Sequence, residues 1–174
     1  MSLFGYIQQG GPVMYILLLL NIIGFSLLFW KIYVVFQARK NKETIKADLK
    51  SELKGVNASD DNSVGLSLIK DSIHGVVHQL EGGLNSIKII ATVSPLLGLL
   101  GTVIGILSAF QVISDQGLSD PSLFAGGIAM ALITTVGGLI VAIPHFVGYN
   151  YLVSALDDLE VMLEKELLKE VFYK

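Results

Sequence analysis

Two stretches of this chain, 89–113 and 123–149, contain no Asp, Glu, Lys or Arg, and each is long enough to cross a bilayer as a helix. A helix rises about 1.5 Å per residue and needs roughly 20 residues for a ~30 Å hydrocarbon core. Both stretches exceed that, which implies tilt or extension past the lipid. Neither is filled with leucine: Ser94, Thr102, Ser108, Thr134 and Thr135 punctuate them, among many glycines and alanines. A helix that only anchors a protein has no use for such residues. Helices that pack tightly on neighbours around a polar path do.

A third apolar run, 13–29, is closed by Trp30 and Lys31 and holds Asn21 as its one strongly polar residue. The twelve residues before it carry no Lys or Arg, and no small-residue cleavage site follows. It therefore reads as a retained transmembrane helix over 13–33 rather than a signal peptide. Charged residues make up 16% of the chain, against roughly 25% in an ordinary soluble domain, and the deficit lies in these three segments. The expected fold class is an all-α membrane protein with three transmembrane helices and long helical cytoplasmic extensions. With no cysteine, thiol and disulfide chemistry are excluded. Nothing in the charge pattern resembles a nucleic-acid footprint, so no nucleic-acid partner is expected.

All twelve Lys and Arg fall in two places: nine between Lys31 and Lys88, and three at Lys165, Lys169 and Lys174. Basic residues stay on the cytoplasmic side. The N-terminus is accordingly expected outside and the C-terminus inside. Residues 1–12 form a short periplasmic N-terminus and 13–33 the first span. Residues 34–88 form a cytoplasmic helical hairpin, followed by the second span (89–113), a periplasmic loop (114–122), the third span (123–149) and a cytoplasmic C-terminal helix (150–174). A multi-pass membrane location is expected; in a bacterium the outside would be the periplasm.

Within the hairpin, Lys42, Lys46, Lys50 and Lys54 recur every four residues, as a solvated face or as a contact for anionic lipid headgroups. The run 55–63 (GVNASDDNS) predicts a loop. A second helix follows over 64–84, with Leu66, Ile69, Ile73, Val76, Val77 and Leu80 on one side. Asp120-Pro121 predicts a helix start, the carboxylate capping free N–H groups. Leu152, Leu156, Leu159, Leu163 and Leu167 make an apolar stripe for the hairpin or a neighbouring subunit.

The second span places Ser94, Gly98, Gly101, Gly105 and Ser108 on one face, and the third does the same with Gly127, Ala131, Thr135, Gly138 and Ala142. Lipid tails are as apolar as leucine, so helices associate in a membrane by close packing and hydrogen bonds, which small residues permit. The two faces could serve only to pack the two spans on each other within one chain, but two opposed seams with polar hydroxyls fit the packing of an oligomer around a central path better. Pro95 and Pro144 each free a carbonyl, either beside water or at a simple kink.

The segments 94–106 (SPLLGLLGTVIGI) and 127–139 (GIAMALITTVGGL), extended by Ala142-Ile143-Pro144 and Tyr149-Asn150, resemble the MotA/TolQ/ExbB proton-channel family. Three spans with an outside N-terminus are similar to its ExbB/TolQ branch. The resemblance implies a pentameric ring around single-span helices of an ExbD- or TolR-like partner that carries an essential aspartate. It also implies proton flow that drives the partner and a TonB- or TolA-like transducer. It implies that Thr102 and Thr135 face the pore and that Asn150 marks the inner end of the path. Ser94, Thr134 and His145 join them as candidate path residues. Gly98, Gly101, Gly105, Ala131 and Gly138 are the candidate packing residues. The chain departs from the family pattern at Met130, where a glutamate is common.

No span holds a carboxylate, and His145 is the one intramembrane side chain besides tyrosine that ionises. An ionisable group inside a membrane is expensive, which favours a function, although a position near the inner boundary suits a plain interfacial histidine equally. The titrating acid is therefore expected on a partner helix, while this chain supplies a cage of hydroxyls and small residues. His74 and His78 share metal-pair spacing, but Gly75 stands where a zinc-protease helix has glutamate, so no metal or cofactor is expected. No nucleophile–base pair and no phosphate loop is present, and no enzymatic activity is expected. The reading is a proton-channel subunit of an inner-membrane motor using the proton motive force for outer-membrane transport or envelope maintenance. Its rival is a non-conducting membrane scaffold around partner helices.

Overall fold

The computed structural model describes residues 3–52, 62–118 and 120–172, which are helical almost throughout and contain no strand. Among the described residues six helices follow in order: α1 Leu3–Gln9, α2 Gly11–Lys40, α3 Lys42–Glu52, α4 Asn62–Glu81, α5 Leu84–Gln116 and α6 Ser122–Phe172. Three of them, α2, α5 and α6, are long and apolar enough to cross a membrane, as the charge-free stretches require. The chain is a multi-pass membrane protein.

The breaks between helices have local causes. Gly10 closes α1 by donating its N–H to the Tyr6 carbonyl at 3.0 Å, and Gly11 opens α2 with φ of 64°. That left-handed backbone is strained for any residue with a Cβ. The first span's helix runs on past Tyr33 to Lys40, and only Asn41 separates α2 from α3. The expected loop 55–63 falls mostly outside the described residues, and α4 has begun by Asn62. At the far end of α5, Gly117 (φ 78°) returns its N–H to the Ile113 carbonyl at 2.8 Å, a left-handed helix end.

The start of α6 follows the Asp120 signal. One Asp120 carboxylate oxygen accepts the Ser122 backbone N–H at 2.9 Å and the Ser122 hydroxyl at 2.6 Å. The hydroxyl bond first, and the backbone bond second, hold this carboxyl below the usual carboxylate range. From there α6 runs unbroken through Pro144 for 51 residues.

Two compact units divide the chain: Met1–Leu28 with Ser86–Gly148, and Phe29–Asn85 with Tyr149–Lys174. In the first, Val13, Leu17, Ile90 and Val141 form a small core, joined by Met14, Leu20, Leu27 and Leu97. Large apolar side chains such as Leu19, Leu99, Leu107 and Ile140 point outward. In water that surface would be a liability; against acyl chains it costs nothing.

The second unit is organised along α6. Leu152, Leu156, Leu159, Leu163 and Leu167 are all buried, as are Leu49 of α3 and Ile69, Ile73 and Val77 of α4. Ion pairs tie α6 to the other helices: Arg39 to Asp158 at 3.0 Å, Lys42 to Glu166 at 3.1 Å, and Lys70 to Glu164 at 2.9 Å. Pairs as solvent-accessible as Arg39–Asp158 are worth about 0.2–1 kcal/mol each, while each buried leucine is worth about 1.5–3 kcal/mol. The leucine stripe therefore holds this unit, and the charges set its register. Lys31 is buried, and its ammonium donates to the Leu80 carbonyl at 2.8 Å. That carbonyl lies in the last turn of α4, where no helical N–H reaches it and where a cation suits the dipole.

Candidate functional site

The two small-residue seams meet each other within one chain. A Cβ built on Gly98 would lie 2.8 Å from the Thr134 carbonyl oxygen, one on Gly105 2.6 Å from that of Gly127, and one on Gly138 2.6 Å from that of Ser94. As residue numbers rise on α5 they fall on α6, so the helices run antiparallel with backbones almost touching. Gly98, Gly101, Gly105, Ala131 and Gly138 all lie in this seam. The seam ends at Ala109, one turn after Gly105, because Gly127 packs on Ala109, while Ser108 is exposed. The within-chain use of the seams is thus realised.

In the middle of the seam two hydroxyls face each other. Thr102 Oγ1 and Thr135 Oγ1 are hydrogen-bonded across the helix pair. Thr102 also reaches the Ala131 carbonyl at 3.1 Å and the Gly98 carbonyl at 3.3 Å, and Thr135 reaches the Gly98 carbonyl at 3.4 Å. Each hydroxyl has one proton and can also accept. Thr102 can donate to Ala131 while accepting from Thr135. Alternatively, Thr135 can donate to Gly98 while accepting from Thr102. The two arrangements differ only in hydroxyl rotation, so the pair can reverse its polarity without moving a heavy atom. Both threonines are partly exposed, so the pair is open on one side. Thr102 returns to the carbonyl four residues earlier but is not confined to it.

The other hydroxyls are packing groups. Thr134 is fully buried, donates back to the carbonyls of Met130 and Ala131 (both 3.0 Å), and fills the space that Gly101 leaves. Ser94, also fully buried, donates to the Ile90 carbonyl at 2.6 Å. Both are satisfied on their own helix, the usual state of serine and threonine inside helices.

His145 lies elsewhere in the first unit. It is buried against Gly24 and Phe25 of α2, its ring 4.8 Å from that of Phe25, with Nδ1 2.6 Å from the Val141 carbonyl oxygen. Met130 also faces α2: its Cε would meet a Cβ on Gly11 at 2.8 Å. The position where the family pattern has a glutamate therefore carries a thioether on the start of α2. Asn150 is exposed and belongs to the second unit. In that unit His74 and His78 stack at 6.4 Å between centroids, His74 3.5 Å from Glu160 and His78 3.6 Å from Glu81. Among the described residues, no group of three possible metal ligands gathers.

Reading the chain by periodicity missed the second packing surface of the first unit. Gly10, Gly24, Gly137 and Gly148 let α2 and α6 approach, with Gly137 under Met14 and Gly148 under Leu28. The signal was available: Gly24 is an isolated glycine in a leucine-rich span, and such a residue points to close approach of a neighbour.

A family model described as the MotA/TolQ/ExbB proton channel family matches residues 37–165. The chain is similar to the biopolymer transport protein ExbB of Aquifex aeolicus, 48% identical over 79 residues, covering 43% of this chain and 53% of that protein. It is similar to ExbB of Neisseria gonorrhoeae, 36% identical over 84 residues (48% and 38% of the two chains). It is also similar to the Tol-Pal system protein TolQ of Haemophilus influenzae, 39% identical over 84 residues (48% and 37%). The chain thus spans about half the length, or less, of these relatives.

Proposed function

Because this chain belongs to the MotA/TolQ/ExbB proton channel family, we propose that it is the channel subunit of an ExbB/TolQ-type motor in the bacterial inner membrane, using the proton motive force to energise outer-membrane transport or to maintain the envelope. The observation that carries this reading is the hydrogen-bonded pair Thr102–Thr135, set between the charge-free stretches 89–113 and 123–149 and open on one side. A hydroxyl pair of reversible polarity can accept a proton's hydrogen bond on one side and release it on the other. It cannot itself hold a charge at ordinary pH, so the acid that does so belongs to another polypeptide. A single-span helix of the ExbD or TolR kind, carrying an aspartate, supplies that chemistry. Several copies of this chain surround it, five by analogy with the family. A TonB- or TolA-like transducer takes up the motion.

The path in this proposal runs past Thr102 and Thr135, with Asn150 at its inner end. Ser94 and Thr134 shape it by packing, and His145 contributes from the contact with α2. The chain's N-terminus is outside and its basic segments inside. Lipid is its remaining partner.

The scaffold reading has one observation in its favour: Met130 places a thioether, not a carboxylate, and directs it at Gly11. Under that reading the complex assembles around its partner but passes no protons.

The experiment that tests the proposal is complementation. In cells lacking this chain, the wild-type chain is expected to restore energised outer-membrane uptake or envelope integrity and to co-purify with a single-span protein bearing an aspartate. Thr102→Val and Thr135→Val are expected to co-purify with it equally well and to restore neither. Full restoration by both variants would contradict the proposal.

A further inference from the structure

We propose that His145 is a protonation site inside the membrane-spanning part of this chain, distinct from the Thr102–Thr135 pair, and that its neutral ring is what allows α6 to rest on α2. The side chain is 0% exposed. Its Nδ1 lies 2.6 Å from the Val141 carbonyl oxygen, which can only accept, so Nδ1 carries the proton. A neutral ring then presents a bare lone pair at Nε2. That atom is buried, has no hydrogen-bond partner among the described residues, and lies so close to Gly24 that a Cβ there would overlap it. A lone pair on a Cα–H is a weak but favourable contact.

A second proton reverses this. Nε2–H would point at the Gly24 backbone with no acceptor, and the ring would be a cation in an apolar interface. Nothing nearby neutralises it. The stretches 13–28 of α2, 89–113 of α5 and 123–148 of α6 contain no Asp or Glu, and no Lys or Arg. Tyr15, the only other titratable side chain on these stretches, is 53% exposed. The Phe25 ring 4.8 Å away offers its face to a cation, a smaller gain than the loss of hydration.

α2 holds a candidate acceptor. Asn21 Oδ1 is also buried and without a partner, and it precedes Phe25 on α2 by one turn, about 5.4 Å along the axis. The imidazolium can gain that hydrogen bond only by leaving Gly24. Protonation therefore moves the ring from Gly24 toward Asn21 and loosens the α2–α6 contact, while deprotonation restores it. The two states differ in one proton and one contact, which is what a proton-linked joint between two spans requires. The inference does not depend on Thr102 and Thr135 conducting protons.

The test is solid-state NMR on the full chain in its assembled complex in bilayers, with histidine, glycine and asparagine isotopically labelled. The chain has only three histidines, so a His74→Gln, His78→Gln background leaves one imidazole. At about pH 8 the expected signals are Nδ1–H, a bare Nε2 and a contact between the ring and Gly24 Cα. As the pH is lowered stepwise from there, the doubly protonated ring is expected. The Gly24 contact should be lost in step, and a contact to the Asn21 side chain gained. His145→Phe, with phenylalanine labelled in place of histidine, is expected to keep its ring on Gly24 across the same pH range. A ring that protonates with the Gly24 contact intact overturns the proposal. So does a ring that stays neutral throughout, or the same pH-dependent loss of contact in His145→Phe. A Thr102→Val complex, impaired in transport, is expected to show the switch unchanged, which separates this proposal from the channel function.

Discussion

Gly105 and Gly127 face each other across the antiparallel pair α5–α6, each so placed that a Cβ on one would meet the other's carbonyl oxygen, at 2.6 Å and 2.7 Å. The obstacle on each side is backbone, which cannot rotate away as a flexible side chain can. Gly105→Ala or Gly127→Ala is therefore expected to destabilise the protein by about 1–3 kcal/mol through overpacking. Gly126, one position away, has nothing near its would-be Cβ. Gly126→Ala is expected to be neutral or mildly stabilising, since alanine is the better helix former. Thermal unfolding of the three variants in the same lipid or detergent checks this ordering.

The second unit depends on apolar burial more than on charge. Leu159 is fully buried on α6, whereas the Arg39–Asp158 pair is largely exposed. Leu159→Ala is expected to cost about 2–5 kcal/mol, and Arg39→Ala no more than about 1 kcal/mol. Denaturant or thermal unfolding of the two variants should give a clear gap; equal losses would mean that the ion pairs carry the unit.

Glu166 accepts hydrogen bonds from Lys42 at 3.1 Å and Lys46 at 3.4 Å. The Lys42 hydrogen bond, opposed by partial burial and aided by Lys46, holds its carboxyl below the usual glutamate range. A carboxylate with a depressed folded value contributes its stability above the unfolded value and loses it as the pH falls through the folded one. The wild-type chain should thus melt higher than Glu166→Gln at neutral pH, with the gap closing in acid. A gap that persists or widens in acid would contradict the assigned pairing.

Lys31 donates to the Leu80 carbonyl at 2.8 Å from a buried position. Lys31→Met keeps most of the stem but leaves that carbonyl without its donor, at a cost of about 1–3 kcal/mol. Hydrogen exchange of the last turn of α4 is expected to rise in the variant, with little change in the middle of α6.

Much of the fold was legible because the bilayer simplifies the problem. A stretch without charges longer than about 20 residues has few fates, and both 89–113 and 123–149 lie inside spanning helices. The break at Asp120-Pro121 was legible because it rests on local backbone chemistry. The small-residue pattern gave the α5–α6 seam and its glycines but not how the hydroxyls pair across it. Thr134 and Thr135 are adjacent, and only the crossing geometry decides that Thr134 fills the space under Gly101 while Thr135 meets Thr102. His145 was legible as unusual and not as a partner of Gly24, because a contact between spans more than a hundred residues apart leaves no periodic trace. Lys31 likewise looked like an ordinary end-of-span cation, since its acceptor lies at the end of another helix.

The central claim is that the Thr102–Thr135 pair lines a proton path in a complex whose acid comes from a partner. Its most direct measurement is proton uptake into vesicles holding the purified complex of this chain with its single-span partner, under an imposed membrane potential. The account predicts flux in the wild-type complex, and its loss on Thr102→Val, on Thr135→Val and on replacement of the partner's aspartate, with assembly unchanged. Wild-type flux that persists in both threonine variants, or a correctly assembled wild-type complex that passes no protons, would contradict it.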